Sequence, residues 1–424
     1  MEKFLEGLLV DSENIDRGQI CFDDETGLIV DVGKLGIPAN KVDYRYDDDH
    51  YVFAGMGDVH IHAREDMSGS NCYKEDFHSA SLAAINGGVT HACDMPNNPI
   101  PPIDLASYSD KLNLTKNSLI PLVLYAGIGP STRPIPGTLP YKAYMGPSVG
   151  ELFFKDFEEL DKALKHYSHQ WVSFHCEDPV ILENHALKES HYERRPVEAE
   201  LLATEQAISL IEKYSLNGKL CHYSAGEGLP LIKKARQKGL NLSCEVTPQH
   251  LFYSTDKLSA ENLHLFQMNP PIRPESDREA MLQGLLDGDI DFIATDHAPH
   301  TVAEKKKGIS GLTGLDTYAP FVTWLINEMK FDPRIIAKVC SENPGLYQRQ
   351  FLPTLRNMTT AYDSLGHGIG FLRPGFNASF TILNMNKATK ITKEDLKTKA
   401  AWSPFEGHQF SGSLASIFLS GKRA

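Results

Sequence analysis

From residue 52 onward the chain alternates short runs of β-branched and apolar residues, each ending in polar ones, with longer stretches of helical spacing. That alternation restricts the architecture to βα units around a parallel sheet and places the chain in the α/β class. Eight such runs are present, at 52–59, 90–95, 119–126, 141–145, 171–175, 219–223, 240–246 and 291–296. Eight is the number that closes a TIM-type (β/α)8 barrel. Between the runs, the spacing predicts a helix over 74–86 that stops at Gly87-Gly88. A second is predicted over 197–214, with Leu201, Leu202, Ile208 and Ile211 toward the core before Asn217-Gly218.

Both ends of the chain read differently. The first 51 residues hold strand-like runs at 18–23 and 27–33, and the last stretch holds 378–383 and 412–421, none with a helical period. The expected organisation is a barrel over 52–355 and a small β-sandwich-like domain assembled from 1–51 and 356–424.

Composition narrows the partners. Lys plus Arg number 42 against 55 Asp plus Glu, and the formal net charge of −13 repels phosphate backbones and anionic membrane surfaces. Neither nucleic acid nor a membrane is therefore expected as a partner, and a small molecule is. An anionic substrate would need specific local cations to hold it against that field. Seven scattered cysteines without paired spacing, and an acidic start unlike a signal peptide, lead to the expectation of a cytoplasmic protein. The longest mostly apolar run, 119–128, is half of what a membrane span requires. A homodimer is expected on fold class alone.

The first run leads into Asp58-Val-His60-Ile-His62-Ala-Arg64. Residues two apart on a strand share a face, so His60 and His62 can reach one ion together. His175 closes the fifth run, His222 falls at the end of the sixth, and Asp296 closes the eighth. In a closed barrel all these strand ends meet on one rim, where the sites of this fold are built. Four histidines and a carboxylate suit zinc, and five ligands exceed what one tetrahedral ion takes. Lys142, on the fourth run, reads in two ways: as an ordinary lysine extending outward, or as an amine kept neutral by burial and nearby cations. Such an amine can take up carbon dioxide, and the resulting carbamate can bridge two ions.

Eight segments then occur in order: Asp58-Val-His-Ile-His-Ala-Arg, Gly87-Gly-Val-Thr, Met95-Pro-Asn-Asn-Pro, Lys142-Ala-Tyr-Met-Gly, His175-Cys-Glu-Asp, Cys244-Glu-Val-Thr-Pro-Gln-His-Leu, Asn269-Pro-Pro-Ile-Arg and Thr295-Asp-His-Ala-Pro-His-Thr. With them the sequence resembles dihydroorotase, in the cyclic amidohydrolase group. The resemblance implies reversible hydrolysis of the ring amide of dihydroorotate to N-carbamoyl-aspartate, a step of pyrimidine biosynthesis. It implies two zinc ions bridged by carboxylated Lys142 and by a water or hydroxide, with His60, His62 and Asp296 on one ion and His175 and His222 on the other. Asp296 would also be the catalytic proton shuttle. By the same resemblance Arg64, Asn97 and His300 clamp the substrate carboxylate, and Asn269 with Gly311-Leu-Thr-Gly-Leu line its ring.

Some residues depart from that pattern. Resembling sequences usually carry a proline two residues past the arginine, whereas here Glu65 and Asp66 follow, and both are expected to face solvent. Gln249 stands where a histidine is common, and Cys221 is expected to point away from the metal region as a buried thiol. His250 and His297 are expected in packing or ligand-orienting roles. Glu304-Lys-Lys-Lys307 is expected as a solvated loop, and 147–150 and 301–311 as mobile cover. Two other readings stay open. One is a hydantoin- or allantoin-opening activity, which shares the metal residues but has no need of Arg64. The other is an inactive barrel that scaffolds a carbamoyltransferase, against which the full ligand set argues.

Overall fold

The stretch 52–59, expected as one barrel strand, divides at Gly55. In the computed structural model, which describes residues 1–146, 152–259 and 263–424, His50–Ala54 pairs in parallel with Glu2–Val10 and antiparallel with Phe380–Asn384. Met56–Ile61 pairs instead with Val89–Asp94, in parallel. The reason is local. Gly55 donates its N–H to Ser379 O (2.8 Å), and a Cβ at this position would run into Thr90, so the chain passes between the two layers where it has no side chain. The division expected after residue 51 thus falls inside a strand of the outer sheet.

After Met56–Ile61 and Val89–Asp94 the barrel continues through Leu122–Leu124, Pro140–Tyr144, Trp171–His175, Asn217–Leu220, Leu242–Val246 and Phe292–Ile293. Neighbours are parallel, and the strands read as apolar runs because most of their residues are buried. The third strand hands over from one neighbour to the next: Leu122–Leu124 pairs with Val89–Asp94, and its continuation Ala126–Ile128 with Pro140–Tyr144. The barrel closes between its first and last strands through a parallel bridge of Ile61 with His297. His62 N donates to His297 O (2.8 Å) at the same place.

Asp76 caps the helix Phe77–Asn86 by accepting from Ser79 N (2.7 Å), which is why the helix begins later than residue 74. Val197–Tyr214 is helical over the expected span. Ile211 is buried there and Leu201 and Ile208 pack at the core's edge, but Leu202 is exposed; the small Ala203 and Ala207 take the buried face instead. The segment 129–139 after the third strand forms no helix. Pro130, Pro134 and Pro136 lie in it, and proline lacks the N–H that helix growth needs.

Both chain ends meet in one sheet. Its order is Lys422–Arg423, Ser413–Leu419, Phe380–Asn384, His50–Ala54, Glu2–Val10, Ile15–Asp23 and Leu28–Gly33, with Tyr44–Arg45 alongside Glu2–Val10. Leu5, Phe22, Val52, Phe380, Ile382 and Phe418 form an apolar cluster of its own, distinct from the barrel core. The chain before Ser413–Leu419 crosses back to the barrel, where Phe405 and Phe410 join the main core and Trp402 Nε1 donates to His300 O (2.7 Å). Among the described residues no helix is long and apolar enough to cross a membrane.

Candidate metal centre

His60, His62, His175, His222 and Asp296 converge on one cavity of about 320 Å³, which Arg64, Asn97, Asn269 and His300 also line. Barrel closure makes this possible, because it sets the first strand beside the eighth. Three of these residues have left-handed backbone: Arg64 (φ 64°), His222 (φ 37°) and Asp296 (φ 46°). That conformation costs a non-glycine residue roughly 1–3 kcal/mol and is typical of functional sites. Arg64 therefore does not continue the strand alternation of His60 and His62. The strand ends at Ile61, and a turn brings the guanidinium to the cavity.

The ring tautomers follow from the partners. Asn97 Oδ1 accepts from His62 Nδ1 (2.7 Å), and Glu245 accepts from His60 Nδ1. Each imidazole is left with a bare Nε2 lone pair, and these face Asp296 Oδ1 at 3.2 Å from His60 and 3.0 Å from His62. Burial holds both rings neutral, helped by Lys142 at His60 and by Arg64 at His62. Three acceptor atoms thus meet with no ring proton between them, an arrangement that a cation satisfies. Without one, burial pushes the Asp296 carboxyl up to about 7; a bound ion reverses that push.

On the other side of the cavity, His175 Nε2 donates to Glu177 Oε2 (2.8 Å), which Arg195 holds in turn. His175 therefore turns Nδ1 inward, 2.9 Å from His222 Nε2. Burial keeps both rings low, and each feels the charge of Lys142. That lysine is fully buried on Pro140–Tyr144, its Nζ without a hydrogen-bond partner among the described residues and 5.2 Å from the Tyr144 ring. It does not extend outward, and its charge also reaches His60, His62 and Asp296.

Among the described residues, His60, His62 and Asp296 form a group whose ligand atoms lie within 4.8 Å of one another, and His60, Cys221 and Glu245 form a second. Cys221 thus approaches His60 rather than pointing away. Lys219 Nζ contacts Glu245 and lies 3.7 Å from Cys221 Sγ, so an ammonium already supplies the positive charge in this second group.

Several polar atoms around the cavity are buried without partners among the described residues: Arg64 Nε, Tyr144 Oη and Asn269 Oδ1. Of the stretch 311–315, only Gly311 lines the cavity. Thr313 Oγ1 donates to Trp402 O (2.7 Å) and Gly314 N to His297 Nδ1 (3.1 Å), which turns the rest away. Asp66, expected in solvent, is buried, because its carboxylate accepts Ile100 N (2.7 Å) and Ser68 N (2.9 Å). Half-buried Glu65 accepts Phe77 N (2.8 Å). Neither acid bonds Arg64. In the expected solvated loop, Lys305 is buried, its ammonium donating to Gln267 O (2.7 Å), Ile309 O (2.9 Å) and Gly311 O (2.9 Å). Residues 308–311 line the cavity, whereas 147–150 lie outside the described residues. Gln249 reaches Thr313 O (3.4 Å), His250 Nδ1 meets Thr247 Oγ1 (2.9 Å), and His297 Nε2 meets Glu75 (3.2 Å).

Glu177, Glu245 and Tyr144 were not singled out from the sequence. A signal existed for the two acids. Glu177 follows His175 by two residues, and Glu245 sits at the end of the seventh run, a rim position otherwise left without a role.

The chain is 30% identical over 430 residues to a dihydroorotase of Pyrococcus furiosus, with 100% of this chain and 92% of the relative covered. It is 31% identical over 372 residues to a dihydroorotase of Pyrococcus abyssi, covering 88% and 82%. Among solved structures, L-hydantoinase (dihydropyrimidinase) from Arthrobacter aurescens superposes with a TM-score of 0.86 at 22% identity, over 100% of this chain and 96% of the other. A D-hydantoinase gives 0.82 at 20%, over 100% and 95%. These structural likenesses establish the fold: a TIM-type barrel with a small β domain. No family model matches the chain.

Proposed function

The chain belongs to the dihydroorotase family, and from that premise we propose that it interconverts dihydroorotate and N-carbamoyl-aspartate by breaking and forming the ring amide bond, a step of pyrimidine biosynthesis. The observation that carries this reading is Arg64, a buried guanidinium whose Nε lacks a partner among the described residues, on the same cavity as His60, His62 and Asp296. Guanidinium is the side chain best matched to a carboxylate, and dihydroorotate has one beside its ring. A ring substrate without that anion would leave the buried donor unfilled.

The donor set fits zinc, which takes imidazole and carboxylate together. His60 Nε2, His62 Nε2 and Asp296 would hold one ion, and His175 Nδ1 and His222 Nε2 a second. Lys142, whose buried amine meets no acceptor among the described residues, would join them in its carboxylated form. When bound, the two ions supply Lewis-acid polarisation of the ring carbonyl and a water acidic enough to attack at neutral pH. Asp296 would take a proton from the attacking water and return it to the leaving nitrogen. Arg64, His300 and the Asn97 Nδ2 amide orient the carboxylate, and the unpartnered Asn269 Oδ1 accepts a ring N–H.

The test is metal content per chain together with turnover of dihydroorotate, hydantoin and dihydrouracil on one sample. About two zinc ions with turnover of dihydroorotate alone is the expected result. Metal bound without turnover of dihydroorotate overturns the reading. We extend it to the setting as well: all seven cysteines are free, as suits a reducing cytoplasm, and the working form is a homodimer acting on a small molecule, which light scattering checks.

A further inference from the structure

We propose that Lys74 is a positioning residue for His300, its ammonium occupying Nδ1 so that the ring presents Nε2–H to the anionic group of the substrate. The inference deepens the dihydroorotate reading and rests on it.

His300 stands between two cations. Its Nε2 lies 3.2 Å from Arg64 Nη2, and its Nδ1 lies 3.4 Å from Lys74 Nζ. Both partners can only donate, and a neutral imidazole has one accepting nitrogen. Burial, then Arg64 and Lys74, hold the ring neutral. His300 can therefore accept from Arg64 or from Lys74, but not from both.

An anion arriving at Arg64 decides the matter. With the proton on Nδ1, the Nε2 lone pair would face the anion and repel it. With the proton on Nε2, the ring donates to the anion beside the guanidinium, and Nδ1 needs a donor from outside the cavity. Lys74 is that donor. Among the described residues the carboxylate paired with this ring is that of Glu304, 3.7 Å from Nδ1 and too far to hold a proton there.

Lys74 is itself fixed. It pairs with Glu304 Oε1 (2.9 Å), and Glu304 also accepts from the Tyr73 hydroxyl (2.8 Å) and from Thr301 N (2.9 Å). The ammonium is thus held between the turn after the first strand and the short helix Val302–Lys305.

The test uses the metal-loaded full chain and Lys74→Met. KM for dihydroorotate is expected to rise about ten-fold, the loss of one charge-assisted hydrogen bond, with kcat held within about two-fold and Lys74→Arg recovering most of the loss. Ring ¹⁵N spectra of histidine-labelled protein, with His300 assigned by His300→Gln, should show Nε2 protonated and Nδ1 bare when N-carbamoyl-aspartate is bound. An unchanged KM in Lys74→Met, or Nδ1 protonated in the wild-type complex, overturns the proposal. Should the wild-type enzyme not turn over dihydroorotate, the functional reading fails by itself. The same spectrum with succinate as the probe then decides on Lys74 separately.

Discussion

The two sides of the metal-type cavity are built by different means. His60, His62 and Asp296 come from strands that are neighbours only because the barrel closes, and they bring three acceptor atoms together at 3.0–3.2 Å. His175 and His222 come from consecutive strands and bring two nitrogens together, within the influence of a buried amine that has no partner among the described residues. The first side is complete in protein atoms. On the second side, only a chemically altered Lys142, as proposed above, would add an oxygen donor beside the two rings.

That difference is open to attack, most strongly at Asp296. Asp296→Asn should lower dihydroorotate turnover by about 10²–10⁴-fold, the range for loss of a positioned proton carrier, and should reduce metal per chain as well. Retained turnover would remove the first side from the chemistry. Next comes Lys142→Ala, expected to cost activity beyond the ~10–100-fold typical of outer partners of a metal site. Elemental analysis should show the loss of one ion while the other stays. Two ions and full activity would erase the asymmetry.

The orienting acids sharpen the comparison further. Glu177→Gln should weaken metal binding by about 10–100-fold in chelator competition, through His175 alone. Glu245→Gln should weaken both sides, since Glu245 accepts from His60 Nδ1 and also from His222 N (3.0 Å). Equal and confined effects would show that the sides are not linked through Glu245. The smallest effect is expected at Lys305→Met, which leaves three carbonyls without their donor. KM should rise by only a few-fold and hydrogen exchange at 308–311 should quicken, with metal content unchanged.

Much of the barrel is legible in the sequence because each strand is a nearly continuous apolar run and the chemistry sits where the runs end. The double strand at 52–59 is not legible, since both halves are apolar and only the approach of Ser379 and Thr90 to Gly55 marks the step between sheets. The ligand-type residues His60, His62, His175, His222 and Asp296 are readable for the same reason as the strands. Lys305 is not: its burial depends on carbonyls from Gln267, Ile309 and Gly311, and a run of charged residues carries no trace of them. Asp66 is the same case, an acid held by the backbone N–H of Ser68 beside it and by that of Ile100, 34 residues on.

The bond from His62 N to His297 O has a meaning in time as well as in space. His175 and His222 are 47 residues apart, whereas His62 and Asp296 are 234 apart. Contacts between near segments form sooner than contacts that must close most of a chain. During folding the pair can be assembled in a half-built sheet, while the trio exists only once the last strand has docked on the first. An ion held by the trio would therefore clasp the finished barrel at its seam, and withdrawing it would loosen the first and eighth strands ahead of the rest.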